Sequence, residues 1–117
     1  MFKKYYGKKV VKTKEISYQE YLDIAEKYIN KNKINEAKNA LNNAIKNDKT
    51  KEDAYIRLSE VEISQDKGDE ALNVLVKAKN SVSESEFEHM SLIEETAYYN
   101  CYRNIINDFK KIWCRWL

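Results

Sequence analysis

The chain has 117 residues, with no proline, two glycines, two cysteines and a formal net charge of +2. That is the size of one domain with a modest core, and so few turn formers argue against an all-β or α/β fold, which needs Gly and Pro at its turns. Charge is unevenly placed: six lysines, Lys3 to Lys14, precede the first acid, Glu15, and the remainder is mildly acidic.

Residues 1–16 form a basic leader, flexible or briefly extended, with Phe2, Tyr5 and Tyr6 among the lysines. Such a segment can neutralise phosphate and stack on bases, which would suit nucleic acid or an anionic membrane surface. A lysine run is more commonly just solvated, and nucleic acid is not the expected partner. Val10, Val11 and Ile16 are compatible with a short strand. No apolar signal-type core and no membrane span are visible, and the isolated cysteines Cys101 and Cys114 suit a reducing compartment. The expected location is cytoplasmic.

Three helix starts follow. Ser17-x-x-Glu20, Thr50-x-x-Asp53 and Ser83-x-x-Glu86 have the form of a capping box, in which a hydroxyl and a carboxylate satisfy each other's backbone N–H groups. Ile16 with Tyr21, and Val82 with Phe87, add hydrophobic staples. After Ser17, Tyr21, Ile24, Ala25 and Tyr28 fall on one helical face; after a turn near residues 31–33, Ala37, Leu41, Ala44 and Ile45 fall on another. After Thr50 the pattern returns with Tyr55, Leu58 and Val61, a turn near residues 66–68, then Ala71, Leu75 and Ala78.

The strongest signal is a phrase given twice. Lys33-Ile34-Asn35-Glu36-Ala37, followed by Leu41 and Ala44, recurs 34 residues later as Lys67-Gly68-Asp69-Glu70-Ala71, followed by Leu75 and Ala78. A fixed period of this length marks a helical array whose units bury their apolar faces only against neighbours. Arrays of this kind are mostly binding scaffolds.

These residues resemble the tetratricopeptide repeat, W-x2-L-G-x2-Y followed by A-x3-F-x2-A. In the first unit Tyr21, Ile24, Ala25, Tyr28, Ala37, Leu41 and Ala44 hold those places; in the second, Tyr55, Leu58, Ser59, Glu62, Ala71, Leu75 and Ala78. The likeness covers about residues 18–80. It departs at Lys49, where a closing proline is usual, at Glu62, where an aromatic is usual, and at Gly68, displaced from the usual turn glycine. The resemblance implies an all-α, right-handed superhelical stack of two such hairpins, about 18–49 and 51–82. One or two capping helices over 83–117 complete a domain running from 17 to 117.

Beyond Ser83, Phe87, Met90 and Ile93 continue a helix, and then Tyr98, Tyr102, Ile105, Phe109, Ile112 and Trp116 alternate in steps of four and three. That is an a/d seam, widened by Ile106, Trp113 and Leu117. Whether a turn near residues 97–100 divides two helices is open. The seam is read first as a cap folded over the last repeat; the alternative is a homodimer or partner contact through Tyr102, Phe109, Trp113 and Trp116, since tryptophan is enriched at interface hot spots.

The resemblance also implies a working groove lined by the first helix of each unit. The matching positions are Leu22, Glu26, Ile29 and Asn30, then Asp53, Ile56, Glu60, Ile63 and Ser64. Apolar residues among acids fit an apolar or basic peptide or helix rather than an acidic tail, unless Leu22, Ile29, Ile56 and Ile63 meet the chain's own last helix. Neither a catalytic residue nor a cofactor or metal set is expected: the only histidine is His89, and no nucleophile motif or phosphate-binding loop occurs. The expected function is non-enzymatic protein–protein interaction, as an adaptor, chaperone or assembly factor. The alternatives are self-association through the last helix, or nucleic-acid association through the leader.

Overall fold

A computed structural model of the chain describes residues 15–116. Among these, every regular element is a helix: α1 (Tyr18–Asn30), α2 (Ile34–Asn47), α3 (Glu52–Ser64), α4 (Gly68–Ser81), α5 (Glu84–Glu88) and α6 (Ser91–Trp116). The leader expectations, including a strand through Val10 and Val11, lie outside the described residues. Ile16 is exposed and non-helical, just ahead of α1.

The helices pair as two hairpins, α1 with α2 and α3 with α4, and α3 lies beside α2. Small residues make the close approach possible: Ala25, Ala37, Ala44, Ala54, Ala71 and Ala78 are all fully buried. Leu22, Leu41, Tyr55, Leu58 and Leu75 fill the space between them. These are mostly the repeat's signature positions. Glu62, standing where an aromatic is usual, is buried, and Lys38 of α2 brings its ammonium to 2.9 Å from Glu62 Oε1. An ion pair bridges the hairpins where a ring would have packed.

Both hairpin turns are built the same way without glycine. In the first, Asn32 N–H donates to Ile29 O and Lys33 N–H to Tyr28 O; in the second, Asp66 N–H donates to Ile63 O and Lys67 N–H to Glu62 O. This crossed pair of bonds is a Schellman ending, which requires a left-handed residue at its centre. Asn32 (φ 59°) and Asp66 (φ 64°) supply it, the side chains that tolerate that region best after glycine. The displaced Gly68 is therefore released for another task.

The capping boxes at Ser17 and Ser83 form as expected, each closing reciprocally with Glu20 or Glu86. The third does not. Asp48 captures both the Thr50 N–H (3.0 Å) and the Thr50 hydroxyl (2.6 Å), so the chain turns one residue longer and α3 starts after Lys51, without a side-chain cap of its own. The cap comes from the neighbouring hairpin instead: the buried Tyr18 hydroxyl accepts from Ala54 N–H at 2.9 Å. Burial raises the Tyr18 phenol above its ordinary pKa.

At the C-terminal end, α5 is a single short turn of helix, ended at His89 and Met90 rather than near residues 97–100. From Ser91 onward one helix of 26 residues runs unbroken. It does cover the second hairpin, packing on α4 and α3. The face it uses is not the a/d seam. Ala97 and Asn100 are buried, with Ile93, Cys101 and Asn104 part-buried beside them, whereas Tyr98, Tyr102, Ile105, Phe109 and Ile112 all stay more than half exposed. The seam does not serve as the inward face of a cap.

Candidate functional site

Two surfaces carry candidate functional residues. The first lies across α1 and α3. A cavity of about 550 Å³ is lined by Glu26, Ile29, Asp53, Ile56, Arg57, Glu60, Val61 and Ser64. On α3 these residues step by three or four, so one helical face supplies most of the wall. Ile29 and Ile56 are half-buried and form an apolar floor, and Glu26, Asp53 and Glu60 stand exposed around it. Arg57 reaches across from α3 to pair with Glu26 of α1, tying the two walls together. Among the described residues no ion pair involves Asp53 or Glu60, so the rim keeps a net negative character.

The expected groove positions divide. Glu26, Ile29, Asp53, Ile56, Glu60 and Ser64 come together in this cavity. Leu22 does not line it: at 2 % exposed it belongs to the core shared by α1, α2 and α3. Its repeat counterpart Ile56 is left half-exposed, so equivalent positions differ in burial along the stack. Asn30 is exposed but outside the cavity lining. Ile63 opens onto a second, smaller cavity of about 230 Å³ with Glu60, Leu92, Ile93 and Thr96, so Ile63, and with it Glu60 from the groove rim, does meet the last helix. Arg57 and Val61 are the lining residues that sequence reasoning missed: the spacing of Arg57 from Asp53 and Glu60 already placed it on the same face, and Val61 counts among the buried core residues of α3.

The second surface is α6. Its docking on the second hairpin joins apolar contacts at Ile93 and Ala97 to a polar clamp. The Asn100 side chain accepts from Gly68 N–H at 2.9 Å, capping the first residue of α4, and donates to Asp66 Oδ1 at 2.8 Å. Arg103 binds the same Asp66 oxygen at 2.8 Å, and Asn104 donates to the Asp66 carbonyl at 3.0 Å. The bond from Asn100, more than the guanidinium of Arg103, holds the Asp66 carboxyl below its usual pKa. Gly68 makes this fit possible, because a Cβ there would lie 2.6 Å from Ala97 O.

Beyond the clamp, every side chain from Asn107 to Arg115 is exposed. Tyr102 (66 %), Phe109 (61 %) and Trp113 (57 %) all face solvent, and Phe109 and Trp113 rest against each other with ring centroids 6.3 Å apart. The Trp116 side chain lies outside what is described. Neither surface gathers a nucleophile and base, and His89 only pairs with Glu52 at the exposed start of α3.

A family model for a tetratricopeptide repeat-like domain matches residues 6–91, spanning both hairpins and α5. The chain belongs to that family. Tetratricopeptide repeat-like domains serve generally as non-enzymatic protein-interaction modules, in keeping with the groove just described. No curated protein and no solved structure matches the chain. Among the described residues no helix is long and apolar enough to cross a membrane.

Proposed function

We propose that this tetratricopeptide repeat-like protein is an adaptor whose α1–α3 groove takes a short apolar segment flanked by basic residues. The observation that carries the reading is the apolar floor of Ile29 and Ile56 inside a rim where Asp53 and Glu60 are not neutralised by an ion pair among the described residues. Burial of one or two aliphatic side chains on that floor supplies affinity, and the acids select basic flanks and speed encounter. An acidic tail would meet like charge at the rim. The cavity volume, about 550 Å³, is that of a site for a few side chains rather than a folded domain.

The test compares two labelled peptides of alternating leucine with lysine and of leucine with glutamate, read by fluorescence anisotropy. The lysine peptide should bind more tightly, with affinity falling as salt rises. Asp53→Lys with Glu60→Lys should reverse the preference, and Ile56→Ser should weaken both. Equal binding of the two peptides, or a preference unmoved by the charge reversals, would refute the assignment.

A further inference from the structure

The groove leaves the exposed stripe of α6 unexplained. Tyr102, Ile105, Phe109, Ile112 and Trp113 are each between 56 and 66 % exposed, on a helix otherwise well anchored to the body. Assigning Tyr102 and Phe109 to a and Ile105 and Ile112 to d places Ile106 and Trp113 at e. Asp108 and Arg115 then fall at g. Those flanks decide which pairing the stripe favours.

In a parallel, in-register pair, g meets the e position that follows it on the other helix. Asp108 would then face an apolar Trp113, and nothing would balance it. In an antiparallel pair, g meets g and e meets e. One antiparallel register sets Phe109 of each copy against Ile112 of the other. The same register brings Asp108 opposite Arg115, and Ile106 opposite Trp113, twice each by symmetry. Sliding by one heptad toward the body would put Asp108 against Asp108, a like-charge contact. The favoured register overlaps residues 105–116, beginning at the half-buried Ile106 and otherwise using the projecting end of α6, where all side chains from Asn107 to Arg115 are exposed, so the two bodies lie at opposite ends.

We propose that the partner of this stripe is a second copy of the chain, joined through an antiparallel pairing of the C-terminal ends of α6 that sets Asp108 against Arg115. The inference does not rest on the groove assignment. Its size is small: within this register Ile105, Phe109, Ile112 and Trp113, all more than half exposed, offer on the order of 100 Å² apiece, or about 800 Å² over both copies. That is the range of weak, transient contacts, so the dimer should form only at high concentration and dissociate on dilution.

The experiment is sedimentation velocity on the full chain over a hundredfold concentration range, for wild type and for Asp108→Lys and Arg115→Glu. Both positions are exposed, so circular dichroism should show the fold intact in each variant. Wild type should pass from monomer to dimer as concentration rises. Each single variant should dimerise roughly tenfold or more weakly, because two attractions become two repulsions. Mixing the two variants should restore association. In the mixed dimer the two reversed charges face each other across one contact, and the unaltered Asp108 and Arg115 face each other across the second. A wild type that stays monomeric throughout would overturn the proposal and leave the stripe to a different protein. A dimer that survives both reversals, or variants that fail to rescue each other, would overturn the antiparallel register.

Discussion

Gly68→Ala is the substitution that most directly tests the account of how the last helix is held. Helix propensity alone favours the change, since alanine at a helical position is worth up to about 1 kcal/mol over glycine. The packing says the opposite. The new Cβ would lie 2.6 Å from Ala97 O, 2.8 Å from Asn100 Oδ1 and 2.9 Å from Cys101 Sγ. The side-chain atoms can swing away, but a backbone oxygen inside a helix cannot, so α6 must lift from α4 by several tenths of an ångström. Overpacking of this kind costs about 1–3 kcal/mol, and loss of the Asn100 cap on α4 about 1 kcal/mol more. The net expectation is a loss of about 1–3 kcal/mol, which for a domain of this size lowers Tm by roughly 5–15 °C. Thermal unfolding by circular dichroism measures the total. Hydrogen exchange locates it: amides of α6 near Ala97–Asn104 should exchange faster, while those of α1 and α2 change little. A variant as stable as wild type would mean that α6 is not docked through this contact, and the polar clamp would lose its main support.

Further tests concern three other contacts. Tyr18→Phe keeps the buried ring but leaves the Ala54 N–H without its acceptor, and should lower the urea midpoint by an amount worth about 1 kcal/mol. Asp66 titrates below its ordinary value in the fold, so its contribution is present above about pH 4 and is lost as pH falls through the depressed pKa. Asp66→Asn should therefore flatten the acid limb of a stability–pH profile, and an unchanged limb would rule out the clamp as an acid-sensitive element. Lys38→Met strands the buried Glu62 carboxylate and should destabilise by about 1–3 kcal/mol, whereas Lys38→Met with Glu62→Leu should recover most of that loss in the same chemical denaturation assay.

The hairpins are legible in the sequence because their signature residues do the packing: Ala37 and Ala71, Leu41 and Leu75, Ala44 and Ala78 are buried pair by pair. What escapes a sequence reading are contacts that join distant parts of the chain. The Thr50 box has the correct local spelling, yet Asp48, two residues earlier, competes for the same hydroxyl and N–H and wins. The replacement cap from Tyr18 depends on how the hairpins stack, which no local pattern reports. Leu22 and Ile56 are equivalent by repeat, but one is covered by the body of the stack and the other is not. The a/d seam of α6 is legible as a continuous apolar stripe. Its direction is not, since periodicity finds apolar faces and the inward face here mixes Ile93 and Ala97 with Asn100, Cys101 and Asn104. Gly68 is the available clue: a glycine opening a helix, with no turn that needs it, asks what approaches so closely.

The inward face of α6 is partly polar while its apolar stripe stays exposed, and this bears on why the helix is built as it is. An ordinary cap buries its apolar stripe against the last repeat and presents polar residues to water. Here Asn100, Arg103 and Asn104 bind the α3–α4 turn, and the stripe begins roughly a third of the way round the helix from that face. Hydrogen bonds to Asp66 and Gly68 fix both the rotation and the axial position of α6, because each has one geometry that satisfies it. An apolar docking face would tolerate sliding by a turn. The polar clamp thus holds the stripe in one orientation without consuming it, and the groove between α1 and α3 borders α6 only through Glu60, which also lines the smaller cavity with Ile63. On the proposals made above, one small domain would then offer two recognition surfaces, the acid-rimmed groove and the rigidly aimed apolar helix.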